Sequence, residues 1–445
     1  MSDRRLDLLT DLVARARRAG ADAADAVLFE AAALQVTHRL GKPEDLERSE
    51  GRDLGLRAFV GRRSAVVSSN DFEPRSFDAL VERAVAMARA APEDPYAGLA
   101  DPDLVAKSWP ELELDDGEEP SADALYAQAA ACEEAALAVP GVTNSEEAGA
   151  SWSRSAIALA ASNGFAGCYA ASAHGFSVSV LAGEGTGMER DYDHSSARWR
   201  RELDAPEAVG RNAGERAVAR LNPRRVKTQT APVVFDPRVS RSLLGHFAGA
   251  ISGAAVARGT SFLKDRMGTK IFAAGVRIVD DPHRKRGLAS KPFDGEGVAN
   301  RRMALVEDGV LKTWLLDSSA ARQLGLKSAG HASRGTSGPP GPSTTNLYLE
   351  AGRLSPDELM ADIDSGFYVT ELIGFGVNGV TGDYSRGAAG FWIEKGRRAF
   401  PVSELTIAGN LKDMFLKLTP ADDLVFRYGS NAPTLRVDGM TVAGA

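Results

Sequence analysis

Six histidines and one carboxylate-rich loop hold most of the reactive potential of this 445-residue chain. The histidines are His38, His174, His194, His246, His283 and His331, and no two are closer than twenty residues, so no single helix supplies a ligand pair. A catalytic zinc takes three protein ligands and an open position, usually with a carboxylate as general base. The densest set is the loop from Asp280 to Asn300, where Asp281, His283, Asp294 and Glu296 alternate with Arg284 and Arg286 and are followed by Arg301. Such a loop has two readings: a discontinuous reactive site, or charges that satisfy one another. His246, amid Leu and Ala, reads as a hydrogen-bonded core or interface histidine. Gly374-Phe375-Gly376-Val377-Asn378-Gly379 fits G-x-G-x-x-G, but the residues that follow include Gly382, Gly387 and Gly390 and cannot form the helix that would hold a pyrophosphate. A glycine-rich turn between strands is expected there. No G-x-S-x-G elbow exists, and neither Cys132 nor Cys168 has a histidine nearby in sequence, although triads are assembled in space.

The elements that must position these residues read as α+β, with antiparallel sheets, flanking helices and a larger β-rich C-terminal domain. Leu6, Leu9, Val13 and Ala16 repeat at helical spacing after Ser2 or Asp3 as cap, and Gly20 follows. Extended runs at 26–38, 54–60 and 65–69 and a helix at about 76–91 complete a first α-β-β-β-α unit. Residues 92–120 turn to Pro, Asp, Glu and Gly, the composition of a solvated spacer. The unit and its acidic linker make residues 1–115 the first domain. The second, 116–226, opens with an Ala-rich helix at 123–139, continues in extended runs around an Asn163-Gly164 hairpin, and closes with a helix at 206–221. The third, 227–445, has a strand at 231–236, an apolar helix at 239–256 and several strands after residue 346. Within it, apolar runs at 303–306 and 310–316 flank Glu307-Asp308-Gly309, a hairpin signal because the turn needs positive φ. A helix capped by Asp317 or Ser318 and ended by Gly325 follows.

Bulk properties exclude several function classes. The 53 basic and 60 acidic side chains leave a net charge of -7, which argues against direct nucleic-acid binding. Apolar runs are short and interrupted by charge, so no membrane span is expected. The N-terminus lacks the continuous apolar core of a signal peptide, and two cysteines make no disulfide framework. A cytoplasmic location is the expectation.

Several motifs together resemble the PmbA (TldE) branch of the TldD/PmbA family: Ile251-Ser252-Gly253, Ser261-Phe262-Leu263, Asp281-Pro282-His283, Gly287 to Ser290, Pro292 to Gly297, Ala321 to Ser328, and the ending Gly439 to Gly444. The resemblance covers nearly the whole chain. It implies a subunit of a cytoplasmic two-protein metallopeptidase, once described as a modulator of DNA gyrase, in which the TldD partner carries H-E-x-x-x-H and a later cysteine as zinc ligands. Histidines five apart lie about 140° apart round a regular helix, so both face one ion only if the helix is locally distorted. In the corresponding helix here, His246 in the first ligand's place puts Phe247 for the glutamate and Ile251 for the second histidine; shifted by one, Gly245 and Ala250 fill the ligand places. No cysteine lies between Tyr428 and Pro433.

The resemblance therefore implies a chain with no catalytic or metal residues of its own, with zinc in a TldD-like partner and unfolded peptides as substrates. A homodimer is the alternative assembly when that partner is absent. His246, Asp281, His283, Asp294, Glu296, Arg301 and His331 are the candidates for facing substrate or partner. The competing readings are a peptide- or protein-binding regulator without peptidase role, and a self-sufficient hydrolase with an unrecognised site.

Overall fold

The structure, a computed structural model, describes residues 3–444. Its first helix, α1 (Arg4–Arg18), begins where the side chain of Asp3 accepts the backbone N–H of Arg5; Ser2, the other expected cap, lies outside the described residues. Six antiparallel strands follow in two groups: β1 (Ala23–Arg39), β2 (Lys42–Val60) and β3 (Arg63–Ser69), then β4 (Val142–Ala161), β5 (Ala166–Ala182) and β6 (Glu189–Ala197). They form a single sheet of order β3-β2-β1-β4-β5-β6, in which Leu28 of β1 lies between Leu54 of β2 and Ala158 of β4. Residues 1–115 and 116–226 thus share one sheet.

Alternation along these strands divides the two faces. Ala24, Ala26, Leu28, Leu34 and Val36 of β1 point to the side covered by α1, α2 (Pro74–Ala90), α3 (Ala122–Leu137) and α4 (Pro206–Ala219). Helices α3 and α4 approach closely because Gly210 has no side chain; a Cβ there would lie 3.0 Å from Ala135 Cβ. The opposite face presents Asp25, Val27, Arg57 and Leu159 to the rest of the molecule. The first half of β2, Lys42 to Asp53, is exposed throughout and carries no apolar alternation, which is why the sequence reading starts that strand at Leu54. Its ladder to β1 is what makes it a strand.

The acidic segment 92–120 is not a solvated spacer. It runs as an extended strap over the second face of the sheet, burying Ala100, Ala106, Leu112 and Leu114. Glu113 pairs with Arg286 and lies 2.7 Å from Lys285, and Arg322 donates to the carbonyls of Tyr96 and Gly98 at 3.2 Å. Charge here is consumed in docking.

In the C-terminal part, β7 (Gln229–Phe235) leads into α5 (Pro237–Ala250), whose cap is Asp236. Strand β7 pairs with Ser365–Ile373 and Leu435–Ala443; Asp383–Glu394 and Arg397–Asn410 continue the sheet, and Arg397–Asn410 returns to pair with Leu435–Ala443. The five strands close into a barrel. A second sheet joins the hairpin Met303–Glu307/Val310–Leu311 to Ile278–Asp280, Leu347–Leu349 and Ser430–Asn431. Leu243, Leu244, Phe247 and Ile251 of the α5 region share a core with Phe367, Val369 and Ile407 of the barrel. The helix expected over 239–256 breaks at Ile251 and resumes as Gly253–Ala257. Tertiary bonds cause the break: Leu315 N–H donates to the Ile251 carbonyl at 2.9 Å, and Gly253 N–H donates to the Leu315 carbonyl at 2.8 Å.

Candidate functional site

The 280–330 block is built as its residue types require. Asp308 and Gly309 both have positive φ, 49° and 74°, and turn the hairpin. Asp317 accepts the N–H of Ala320 and starts the helix Ser318–Gln323. The loop before them folds inward. Phe293 meets Phe165, Trp109 and Tyr169 with ring centroids 4.8, 4.9 and 5.5 Å away, beneath the strap and the second face of the sheet.

Around that aromatic cluster lies a buried set of charges joining the sheet to the C-terminal body. Asp25 of β1 accepts from Arg57 Nε at 3.1 Å and from Arg334 Nη1 at 2.7 Å. Glu296 lies 3.9 Å from Arg57 and accepts the N–H of Ser318 at 2.8 Å. Asp294 accepts three backbone N–H groups, those of Glu296, Val298 and Ala332, at 2.9, 2.8 and 3.1 Å. Burial, with the charge of Glu296, nevertheless pushes its carboxyl up to about 7. Glu296 is also raised, mainly by burial, against the opposing pull of Arg57.

The remaining candidates lie around this core. Asp280, pushed up to about 6 by burial, accepts both the N–H and the hydroxyl of Thr345 at 2.7 Å. His331 is 3.8 Å from it and is driven down to about 4 by burial and by the charge of Arg301, so the ring is neutral near pH 7. Arg301 itself is exposed. Asp281 accepts the N–H of His283, whose Nε2 is 2.7 Å from Asn300 Oδ1. The structure buries Asp280, Asp294, Glu296 and His331 inside the molecule, with Asp280 beside His331 and Asp294 near Glu296, and places His246 elsewhere.

His246 lies on α5 at the wall of an apolar cavity of about 420 Å³ with Phe262, Val377, Leu411 and Phe375. Its Nε2 is buried without a hydrogen-bond partner, its ring stands 6.0 Å from that of Tyr384, and burial with the nearby Arg386 charge lowers its pKa. A second cavity of about 450 Å³ shares Gly245 and Arg386 with the first and continues along α5 to Arg238, Arg241 and Tyr192. Tyr192 and Ser196 of edge strand β6 carry the depression onward, past His194 and Tyr428, whose rings are 5.3 Å apart. The trough at α5 is thus made by the two adjoining cavities, and Tyr192 is common to the larger of them and to a depression on the face of the N-terminal sheet. The G-x-G-x-x-G run forms the trough's outer lip as a turn between Ser365–Ile373 and Asp383–Glu394, with Phe375 99% exposed.

Sequence reasoning missed Arg241, Arg386, His194 and Tyr428 as groove residues. The one available signal was Phe375, an aromatic residue in an otherwise glycine-rich turn. The other four become neighbours only when β6, α5 and the barrel pack together.

Phe247 and Ile251 are wholly buried in the core, whereas Gly245, His246, Gly249 and Ala250 line the cavity. Ser430 lies at the groove wall. One imidazole nitrogen is not a donor set for zinc, which takes four, and among the described residues no three His, Cys, Asp or Glu side chains converge to hold a metal ion. The residues here do not fit the ion.

Comparison with known proteins agrees with this architecture in its parts and as a whole. Residues 24–88, 115–221 and 228–444 match domain 1, the central domain and the C-terminal domain of the PmbA/TldA metallopeptidases. The chain is 38% identical to Metalloprotease PmbA of Escherichia coli O157:H7 over 95% of its length and 92% of that protein. Among solved structures, a Bacteroides thetaiotaomicron protein provisionally described as a modulator of DNA gyrase superposes with a TM-score of 0.91 at 26% identity, covering all of both chains. TldE of Thermococcus kodakarensis shares the fold, with a TM-score of 0.88 at 20% identity over 98% of this chain and 99% of that one. With a relative this similar over nearly its full length, the chain belongs to the PmbA/TldD metallopeptidase family.

Proposed function

We propose that this chain is a PmbA/TldE-like, non-catalytic subunit that pairs with a zinc-bearing TldD-like protein and helps hold an extended, unfolded peptide for hydrolysis. The observation that supports it most is the groove face of α5, where the cavity is lined by Gly245, His246, Gly249 and Ala250 and so offers a single imidazole in place of a set of metal ligands. The trough beside it suits an extended chain. Strand β6 is the outer strand of its sheet, so one row of its backbone groups points away from β5. At Tyr192 that row is satisfied by side chains: its N–H donates to Asp191 Oδ1 and its carbonyl accepts from Arg216. The same alternation gives His194 and Ser196 the next outward groups, where a peptide strand can add by β-augmentation.

The test is to purify the chain alone and together with a TldD-like protein from the same genome, then measure association, bound zinc and cleavage of an unstructured peptide. Cleavage and zinc only in the mixture are expected. Stoichiometric zinc or turnover in the isolated chain would overturn the reading in favour of a self-sufficient hydrolase. Peptide binding without association or cleavage would favour a regulator.

A further inference from the structure

We propose that the α5 groove selects peptides that carry a carboxylate close to an apolar side chain, held by Arg241 and Arg386. This rests on the reading of the trough as a peptide site. Most arginines at the larger cavity are already matched: Arg238 to Asp191 at 2.6 Å, Arg220 to Glu371 at 2.6 Å, and Arg190 to Glu371 at 3.8 Å. Arg241 and Arg386 make no ion pair among the described residues, although both stand at the cavity wall.

Each is held in place without its charge being used. Arg241 donates through Nε to the Arg238 carbonyl at 3.3 Å, and its guanidinium lies 4.1 Å from the centre of the Tyr428 ring. Arg386 donates through Nε to the Ile373 carbonyl at 3.3 Å and stands 6.0 Å from the Phe375 ring. That leaves the terminal N–H groups of both as donors. A guanidinium fork anchored through one nitrogen, and for Arg241 also set over an aromatic ring, is preorganised for a carboxylate. Gly245, between the two cavities, leaves the space open, since a Cβ there would meet nothing within 4 Å.

The second feature is adjacency. Arg386 and Gly245 are walls of both cavities, and the smaller one is lined by Phe262, Val377 and Leu411. An extended chain advances about 3.3 Å per residue. Because Arg386 is a wall of both cavities, a ligand with an apolar side chain in the smaller cavity presents a carboxylate to it from a residue close by in its chain. The carboxylate can come from an Asp or Glu side chain or from the peptide's C-terminus. A nucleic acid fits less well, because Asp191 and Glu371 bound the positive patch and the adjoining cavity is apolar.

The test uses the full chain and rhodamine-labelled unstructured decapeptides read by fluorescence anisotropy: Leu-Glu with an amidated C-terminus, Leu-Gln amidated, and a third ending in Leu with a free carboxylate. The Glu peptide, the free-terminus peptide or both are expected to bind about tenfold more tightly than the amidated Gln peptide. The arm that gains identifies the carboxylate's source. Arg241→Gln and Arg386→Gln should each reduce that preference to about threefold or less, and the Lys variants should restore part of it. Circular dichroism checks that the variants fold. Equal binding of all three peptides, unchanged in the variants, would overturn carboxylate selection while leaving the peptide groove standing. Equal binding of a single-stranded oligonucleotide of matched charge would overturn it too. No binding of any peptide, alone or with the TldD-like partner, would remove the groove reading and this one with it.

Discussion

Removing Asp25 should unfasten the N-terminal sheet from the C-terminal body. Its carboxylate is 2% exposed and is the shared acceptor for Arg57, 6% exposed, and Arg334, 2% exposed. Asp25→Ala leaves two guanidinium groups in a place water does not reach, and Glu296, 3.9 Å from Arg57, is the nearest carboxylate left to offset either. Breaking a buried ion pair by deleting one partner costs about 3–5 kcal/mol, a large part of a total folding stability of about 5–15 kcal/mol. In a urea titration with a slope of about 3 kcal/mol per molar, the midpoint should fall by about 1–1.7 M. The triple variant Asp25→Ala, Arg57→Met, Arg334→Met removes the stranded charges together and should recover most of the loss. The same carboxylate gives a pH signature. Burial raises its pKa, but Arg334 and Arg57 outweigh this, so the folded value lies below the ordinary one. Its contribution is then complete above about pH 4 and is lost as pH falls towards the folded-state value. A loss below about 1 kcal/mol for Asp25→Ala, or a triple variant no more stable than the single one, would refute this account of how the two parts are joined.

Asp294 has the opposite pH signature. With its carboxyl raised to about 7 in the folded protein, the unfolded chain ionises first, so stability should fall as pH rises from about 4 and level off above about 7. Asp294→Asn should flatten that slope in urea midpoints measured across the range; an unchanged slope would assign it to other groups. Gly309→Ala should cost more than about 2 kcal/mol, because a Cβ would lie 2.6 Å from the Ala273 carbonyl oxygen at a φ of 74°, whereas Gly325→Ala, with open space at φ 67°, should cost about 1 kcal/mol. Equal thermal shifts for the two would contradict the packing account. Phe375→Ser, at a position 99% exposed, should leave stability within about 0.5 kcal/mol yet weaken peptide binding, both measurable by thermal melt and anisotropy. A large fall in melting temperature would show that the Phe375 ring packs against something in the folded protein.

Local chemistry was legible in the sequence wherever one short segment decides it. The Asp308-Gly309 turn, the Asp317 cap, the Asn163-Gly164 hairpin and the core face of α5 follow from turn geometry, capping and periodicity, and the structure has each of them. The family was legible too, because the motifs between Ile251 and Ser328 are specific strings of residue types. Tertiary contact decided the rest. The exposed half of β2 is a strand only through its ladder with β1, the acidic strap is held by its buried apolar residues and by Arg286 and Arg322, and α5 stops at Ala250 because Leu315 takes its next backbone groups. The candidate residues divided for the same reason. Asp294 and Glu296 look like a reactive loop in one dimension, but folding sets Arg57 of β2 close to Glu296 and backbone donors around Asp294. The groove arginines, 145 positions apart, meet at one cavity only when the barrel closes against α5. A sequence fixes what each residue can do; which charges are spent on the fold and which stay free for a ligand depends on distances that packing alone sets.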